Sequence, residues 1–180
     1  MLLSLMIGAG LIAGQPTVPK CKVDIEAMMS LNIHAFDQTE QGWRQLAKIP
    51  GCERAAADLI QTYRINVAAL LPLLSWHQGQ LLALNGDYDE AVPLLEKARD
   101  PSTRPSGNGW DDYVDATVAF LKKDAAGIAA AEKRLAARPR PADWPADQEW
   151  PMNFKIVQSL GRCIGRPYSE AYSDDCGLKK

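Results

Sequence analysis

The strongest constraint on this chain is a spacing. Gly51 and Gly86 lie 35 residues apart, and each is followed five residues later by alanine (Ala56, Ala91) and nine residues later by a large aliphatic (Ile60, Leu95). Lys123 and Asp124 open a weaker third copy. Two antiparallel helices approach closely only where one side chain is nearly absent, and the aliphatic one turn on then fills the gap. A period in this range is the signature of a helical-hairpin array, in which neighbouring units stack to bury one another's apolar faces.

The rest of the chain carries the same periodicity. Apolar and small residues recur at helical spacing in "CERAAADLIQTYR" (Ala56, Leu59, Ile60, Tyr63), "LLSWHQGQLLAL" (Leu74, Gln78, Leu81, Leu82) and "EAVPLLEKA" (Ala91, Leu94, Leu95, Ala98). They do so again in "WDDYVDATVAFLKKD" (Tyr113, Ala116, Thr117, Phe120) and "AAGIAAAEKRLAA" (Ile128, Ala131, Leu135). No period-2 alternation persists, so strands are not expected. "IPGC", "NGDY" and "KKDA" read as short turns, and "DPSTRPSGNG" at 100–109 as a longer polar loop. The proline-rich stretch 138–151 cannot be a helix interior. "MNFKIVQSLGRCIG" reads as a last true helix stopped at Gly165, and "SEAYSDDC" as one further short turn. In "FDQTEQGWRQL", Asp37 or Thr39 is placed to cap a helix beginning near Gln41, with Trp43 and Leu46 turned inward.

Residues 75–101 resemble a tetratricopeptide repeat. Gly79 falls at the motif's first-helix glycine, Leu82 at its aromatic position, "GDYDEA" at its turn, Leu95 at its second-helix aromatic and Ala98 at its later small position. The motif's early tryptophan is displaced to Trp76 and its closing proline comes early, as Pro101. Residues 43–66 make a partial copy with a shortened first helix, and 110–137 match in hairpin length alone. The resemblance implies an all-α fold, a short array of antiparallel helix hairpins in a right-handed superhelix, with the C-terminal helix as a cap. It also implies that the first helix of each hairpin lines an inner surface. Trp76, His77, Gln80, Trp110, Tyr113 and Thr117 then become the candidate ligand- or peptide-binding residues. Their other reading is packing: three hairpins make a short array, and these rings then meet the C-terminal segment.

Residues 1–14, "MLLSLMIGAGLIAG", form an uncharged apolar run too short to span a bilayer comfortably, and read as a secretory signal peptide. The run lacks a basic start, and its alternative reading is an N-terminal buried helix. Residues 15–180 are expected to form one helical domain, with 138–151 as the linker to the capping helix. Cys21, Cys52, Cys163 and Cys176 are even in number and outside any C-x-x-C pair, so disulfides in an oxidising compartment are expected. Of three possible pairings, chain proximity favours Cys163 with Cys176 and leaves Cys21 for Cys52. The location expected is periplasmic or secreted.

A formal net charge of −2 with both signs interspersed offers no basic stripe for nucleic acid and no basic amphipathic face for lipid. The two histidines, His34 and His77, belong to no metal-ligand spacing, and no phosphate-cradling or dinucleotide glycine pattern is present, so neither metal nor cofactor is implied. The carboxylates Asp87, Asp89, Glu90, Asp111, Asp112 and Asp115 fall mostly in first turns of helices, where they suit the helix dipole. The function expected is that of a non-catalytic exported adaptor or scaffold binding a protein or peptide in the cell envelope. Its alternatives are a small carboxylate-dependent hydrolase acting on envelope polymers, and a structural subunit of an envelope assembly.

Overall fold

The computed structural model describes residues 21–67, 72–99, 107–173 and 176. Among them it holds ten helices and no strand: α1 (Ile25–Met29), α2 (Ile33–Gln38), α3 (Arg44–Ala47), α4 (Glu53–Asn66), α5 (Pro72–Asn85), α6 (Tyr88–Glu96), α7 (Trp110–Leu121), α8 (Ala125–Ala136), α9 (Phe154–Arg162) and α10 (Tyr168–Tyr172). The expected leader at 1–14 and most of the polar loop 100–109 lie outside the described residues.

Turn chemistry explains the 35-residue spacing of Gly51 and Gly86. At the end of α5 the Asp87 N–H donates to Leu82 O at 2.9 Å and the Gly86 N–H to Ala83 O at 3.1 Å, the paired bonds of a Schellman stop. That geometry needs a left-handed residue, and Gly86 supplies it with φ of 94°. After α7 the same two bonds recur, Asp124 N–H to Ala119 O at 2.8 Å and Lys123 N–H to Phe120 O at 2.9 Å. There the left-handed residue is Lys123, at φ 59°. The third copy is faint in sequence because a lysine holds the position that glycine holds in the second.

Helices α3–α4, α5–α6 and α7–α8 follow one another as hairpins, each helix from α3 to α9 packing on the next, and α10 folds back onto α5 and α9. Between α5 and α6 the approach is close enough that a Cβ on Gly79 would sit 2.9 Å from Leu95 Cγ and 3.1 Å from the Ala91 carbonyl oxygen. Ala91 and Leu95 are fully buried there. One apolar core runs from Met28 to Ala171 and takes in every buried apolar position expected of α4, α5, α7 and α8. Side-chain caps start three helices: Asp24 accepts from Ala27 N at 3.1 Å, Asn32 from Ala35 N at 2.9 Å and Asp124 from Gly127 N at 2.9 Å.

Both disulfides pair as chain proximity favours, Cys21 with Cys52 and Cys163 with Cys176. The first joins the segment before α1 to the start of α4, and the second closes the loop that carries α10. In the chain-entropy account such loops stabilise by about 3 kcal/mol each. Two bridges fit folding outside the reducing cytosol. No described helix is long and apolar enough to cross a membrane.

Candidate functional site

The inner aromatic residues do meet. Trp76 of α5 lies 4.9 Å from Trp110 and 4.8 Å from Tyr113 between ring centroids, with Trp110 and Tyr113 5.9 Å apart. The Trp110 indole donates to Ala98 O at 2.8 Å, and the Thr117 hydroxyl donates to Tyr113 O at 2.9 Å. Trp76, Tyr113 and Thr117 are buried, while Gln80 and Trp110 are half-buried. The chain's own α10 packs on α5 and sets Tyr168 and Tyr172 beside Tyr113. Tyr168 is fully enclosed, its ring 6.0 Å from Phe120 and 5.6 Å from Tyr172. Its N–H donates to the Tyr88 hydroxyl at 2.9 Å, and the Ser159 hydroxyl donates to Ala171 O at 2.7 Å. Burial, with Tyr168 and Tyr172 alongside, pushes the Tyr113 hydroxyl well above the ordinary tyrosine range.

His77 belongs to a different place. It is the next residue after Trp76 on α5 but lies on another face, and its Nδ1 donates to Asp37 Oδ1 at 2.7 Å, bringing together residues 40 apart in sequence. The same oxygen accepts from Trp43 Nε1 at 3.0 Å, Oδ2 accepts from Gln38 Nε2 at 2.5 Å, and the Asp37 carbonyl accepts from Arg44 Nε at 3.0 Å. Asp37 is 3% exposed. Burial pushes its carboxyl up, but the hydrogen bond and charge of His77, with the bonds from Trp43 and Gln38, outweigh burial and hold it below the ordinary value. The sequence offers Asp37 or Thr39 as the cap of a helix beginning near Gln41, but Asp37 lies inside α2 and α3 begins at Arg44. The Thr39 hydroxyl accepts from the Gln41 N–H at 3.2 Å in the turn between α2 and α3, α3 itself has no side-chain cap, and Asp37 ties α2, α3 and α5 together.

Above this carboxylate opens a cleft of about 310 Å³ between α2 and the start of α5, lined by Ile33, His34, Asp37, Gln38, Pro72, Leu73 and Leu74. Its wall is mostly apolar, and Ile33 and Leu73 keep 44% and 42% of their surface in solvent. Nothing in the sequence pattern marks the cleft, because α2 and α5 are distant in the chain. The lone signal was the adjacency of Trp76 and His77, and it pointed to the inner surface.

The carboxylates of α7 are engaged. Asp112 accepts from Arg134 Nε at 2.8 Å and Arg138 Nε at 2.7 Å, and Asp115 accepts from Arg99 Nε at 2.9 Å and Arg134 Nη2 at 2.7 Å. Asp87 and Glu90 both accept from Arg54 Nη1, at 3.1 and 2.8 Å, tying α4 to α6. These ion pairs give the first-turn acids a structural use. Among the described residues no three His, Cys, Asp or Glu side chains converge as a metal site.

Comparison with family models, curated proteins and solved structures returns no match. The likeness to a tetratricopeptide repeat therefore rests on the residues of this chain.

Proposed function

We propose that this is a non-catalytic, exported protein-binding module built on tetratricopeptide-like hairpins, and that its docking site is the α2–α5 cleft. The hairpin reading draws on the succession α3–α4, α5–α6, α7–α8 and on the small residues Gly79, Ala91 and Ala98 at its seam. The export reading draws on the two disulfides. One observation carries the site: the cleft is an apolar-walled concavity flanked by two half-exposed aliphatics and based on a carboxylate held ionised by its neighbours. Such a cleft suits a peptide segment that inserts an aliphatic side chain and sets a basic residue beside Asp37. On the inner surface Trp76 and Tyr113 are buried, which leaves a peptide little ring face there.

A photo-crosslinking residue at position 73 of the intact disulfide-bonded protein tests this in native envelope extract. It should capture a partner through a segment that pairs an aliphatic with a lysine or arginine. Leu73→Asp should abolish capture by a crosslinker placed at position 34, with the melting midpoint changed by no more than the ~0.5 kcal/mol usual for surface sites. Undiminished capture by the Leu73→Asp protein would remove the cleft from consideration.

A further inference from the structure

A second concavity lies on the other half of the chain, where the proline-rich linker meets α9. It measures about 450 Å³ and is lined by Trp144, Met152 and Ile156 with Gln148, Glu149, Asn153 and Lys155. Trp144 and Trp150 pack edge to face at 4.8 Å with 63° between their planes, and the Trp150 indole donates to Arg138 O at 3.1 Å. The Trp144 indole N–H is turned inward and has no hydrogen-bond partner, although the residue as a whole is half-exposed. What Trp144 shows to solvent is therefore ring carbon. Proteins seldom leave a buried donor unpaired without a reason, and here the consequence is an apolar ring wall in a pocket whose other side is polar.

We propose that this pocket binds a neutral or N-acetylated oligosaccharide. A pyranose has an apolar C–H face and a rim of hydroxyls, each both donor and acceptor. The ring carbons of Trp144, with Met152 and Ile156, match the face. The rim is matched by Gln148 and Asn153, since a side-chain amide places a donor and an acceptor in one plane. Neither amide is committed elsewhere: Asn153 is the N-cap residue of α9 but its side chain makes no cap hydrogen bond, and the Gln148 side chain bonds to none of the described residues. Glu149 and Lys155 pair with each other at 2.8 Å, so the rim carries both signs and selects for neither a cation nor an anion. A proline-rich peptide is the lesser fit. It needs a slot between roughly parallel rings, and an edge-to-face pair presents one wall.

The test is a titration of the intact, disulfide-bonded protein with triacetylchitotriose and with maltotriose, followed by tryptophan fluorescence and by the Trp144 indole signal in NMR. At least one sugar should give a saturable change, with a Kd of roughly 1 mM or tighter. Gln148→Ala, at an exposed position, should weaken that binding by roughly fivefold or more, the loss of one polar contact, without moving the melting temperature. Trp144→Ala should abolish it. No response to either sugar, parental affinity in Gln148→Ala, or binding of a polyproline peptide in place of the sugars would each overturn the proposal.

Discussion

The backbone N–H of Tyr168 donates to the hydroxyl of Tyr88 across 80 residues, fixing the start of α10 to α6. The Tyr168 ring beyond it is fully buried among Phe120, Tyr172 and the inner faces of α5 and α7. Removing that ring should cost about 3–5 kcal/mol, as for other large aromatics in a core. Tyr88→Phe, which deletes the hydroxyl alone, should cost about 1 kcal/mol. Urea denaturation of Tyr168→Ala and Tyr88→Phe checks both, and a Tyr168→Ala midpoint close to the parent's would mean that α10 is only loosely seated.

Trp76 and Tyr113 are each 3% exposed and share one aromatic cluster. The double change to alanine should therefore lower the melting temperature sharply, by several kcal/mol, with the two losses less than additive because the rings touch. Circular dichroism melts of both single variants and the double variant measure the coupling. A stable, fully helical double variant would show that the inner surface is open.

At the α5–α6 seam, Ala91 is fully buried opposite Gly79. Ala91→Leu forces side-chain atoms into a contact already closed and should cost about 1–3 kcal/mol. Chemical denaturation should show a lower midpoint at an unchanged slope.

The Asp37 carboxyl predicts a pH dependence with a definite sign. Its folded pKa lies below the ordinary value of about 3.9, so in acid the unfolded chain binds more protons at this residue than the folded one. The stabilisation is present above the unfolded pKa and is lost as pH falls through the folded pKa. Asp37→Asn should flatten stability over that acid window and lower it near neutrality by roughly 1–3 kcal/mol, because a charged acceptor of the Trp43 and His77 bonds is gone. Guanidinium melts of both proteins from about pH 2 to about pH 7 supply the comparison, and parallel curves would contradict it.

Much of this molecule is written locally. The buried faces of α4, α7 and α8 follow from a 3.6-residue period, the stop after α5 from the need for a left-handed residue at Gly86, and the short helix Tyr168–Tyr172 from the stretch after Pro167. Each depends on residues within a turn or two of one another, and so a single sequence determines it. The short helices α1 and α2 were not legible, since five and six residues show too little period to read.

Position in space was decided elsewhere. Whether Trp76 and Tyr113 face water or a neighbour depends on where α10 lands, and that depends on the Cys163–Cys176 bridge and the Tyr88 hydroxyl, partners that no local pattern couples. By local residue type Asp37, like Thr39, is a candidate helix cap. Tertiary packing placed His77 and Trp43 beside it, and a buried carboxylate takes the strongest donors that reach it. Helix, turn and face were therefore set by the sequence through short-range sterics and periodicity, while burial of the inner rings and assembly of the Asp37 cleft were set by contacts between segments that only the folded chain brings within reach.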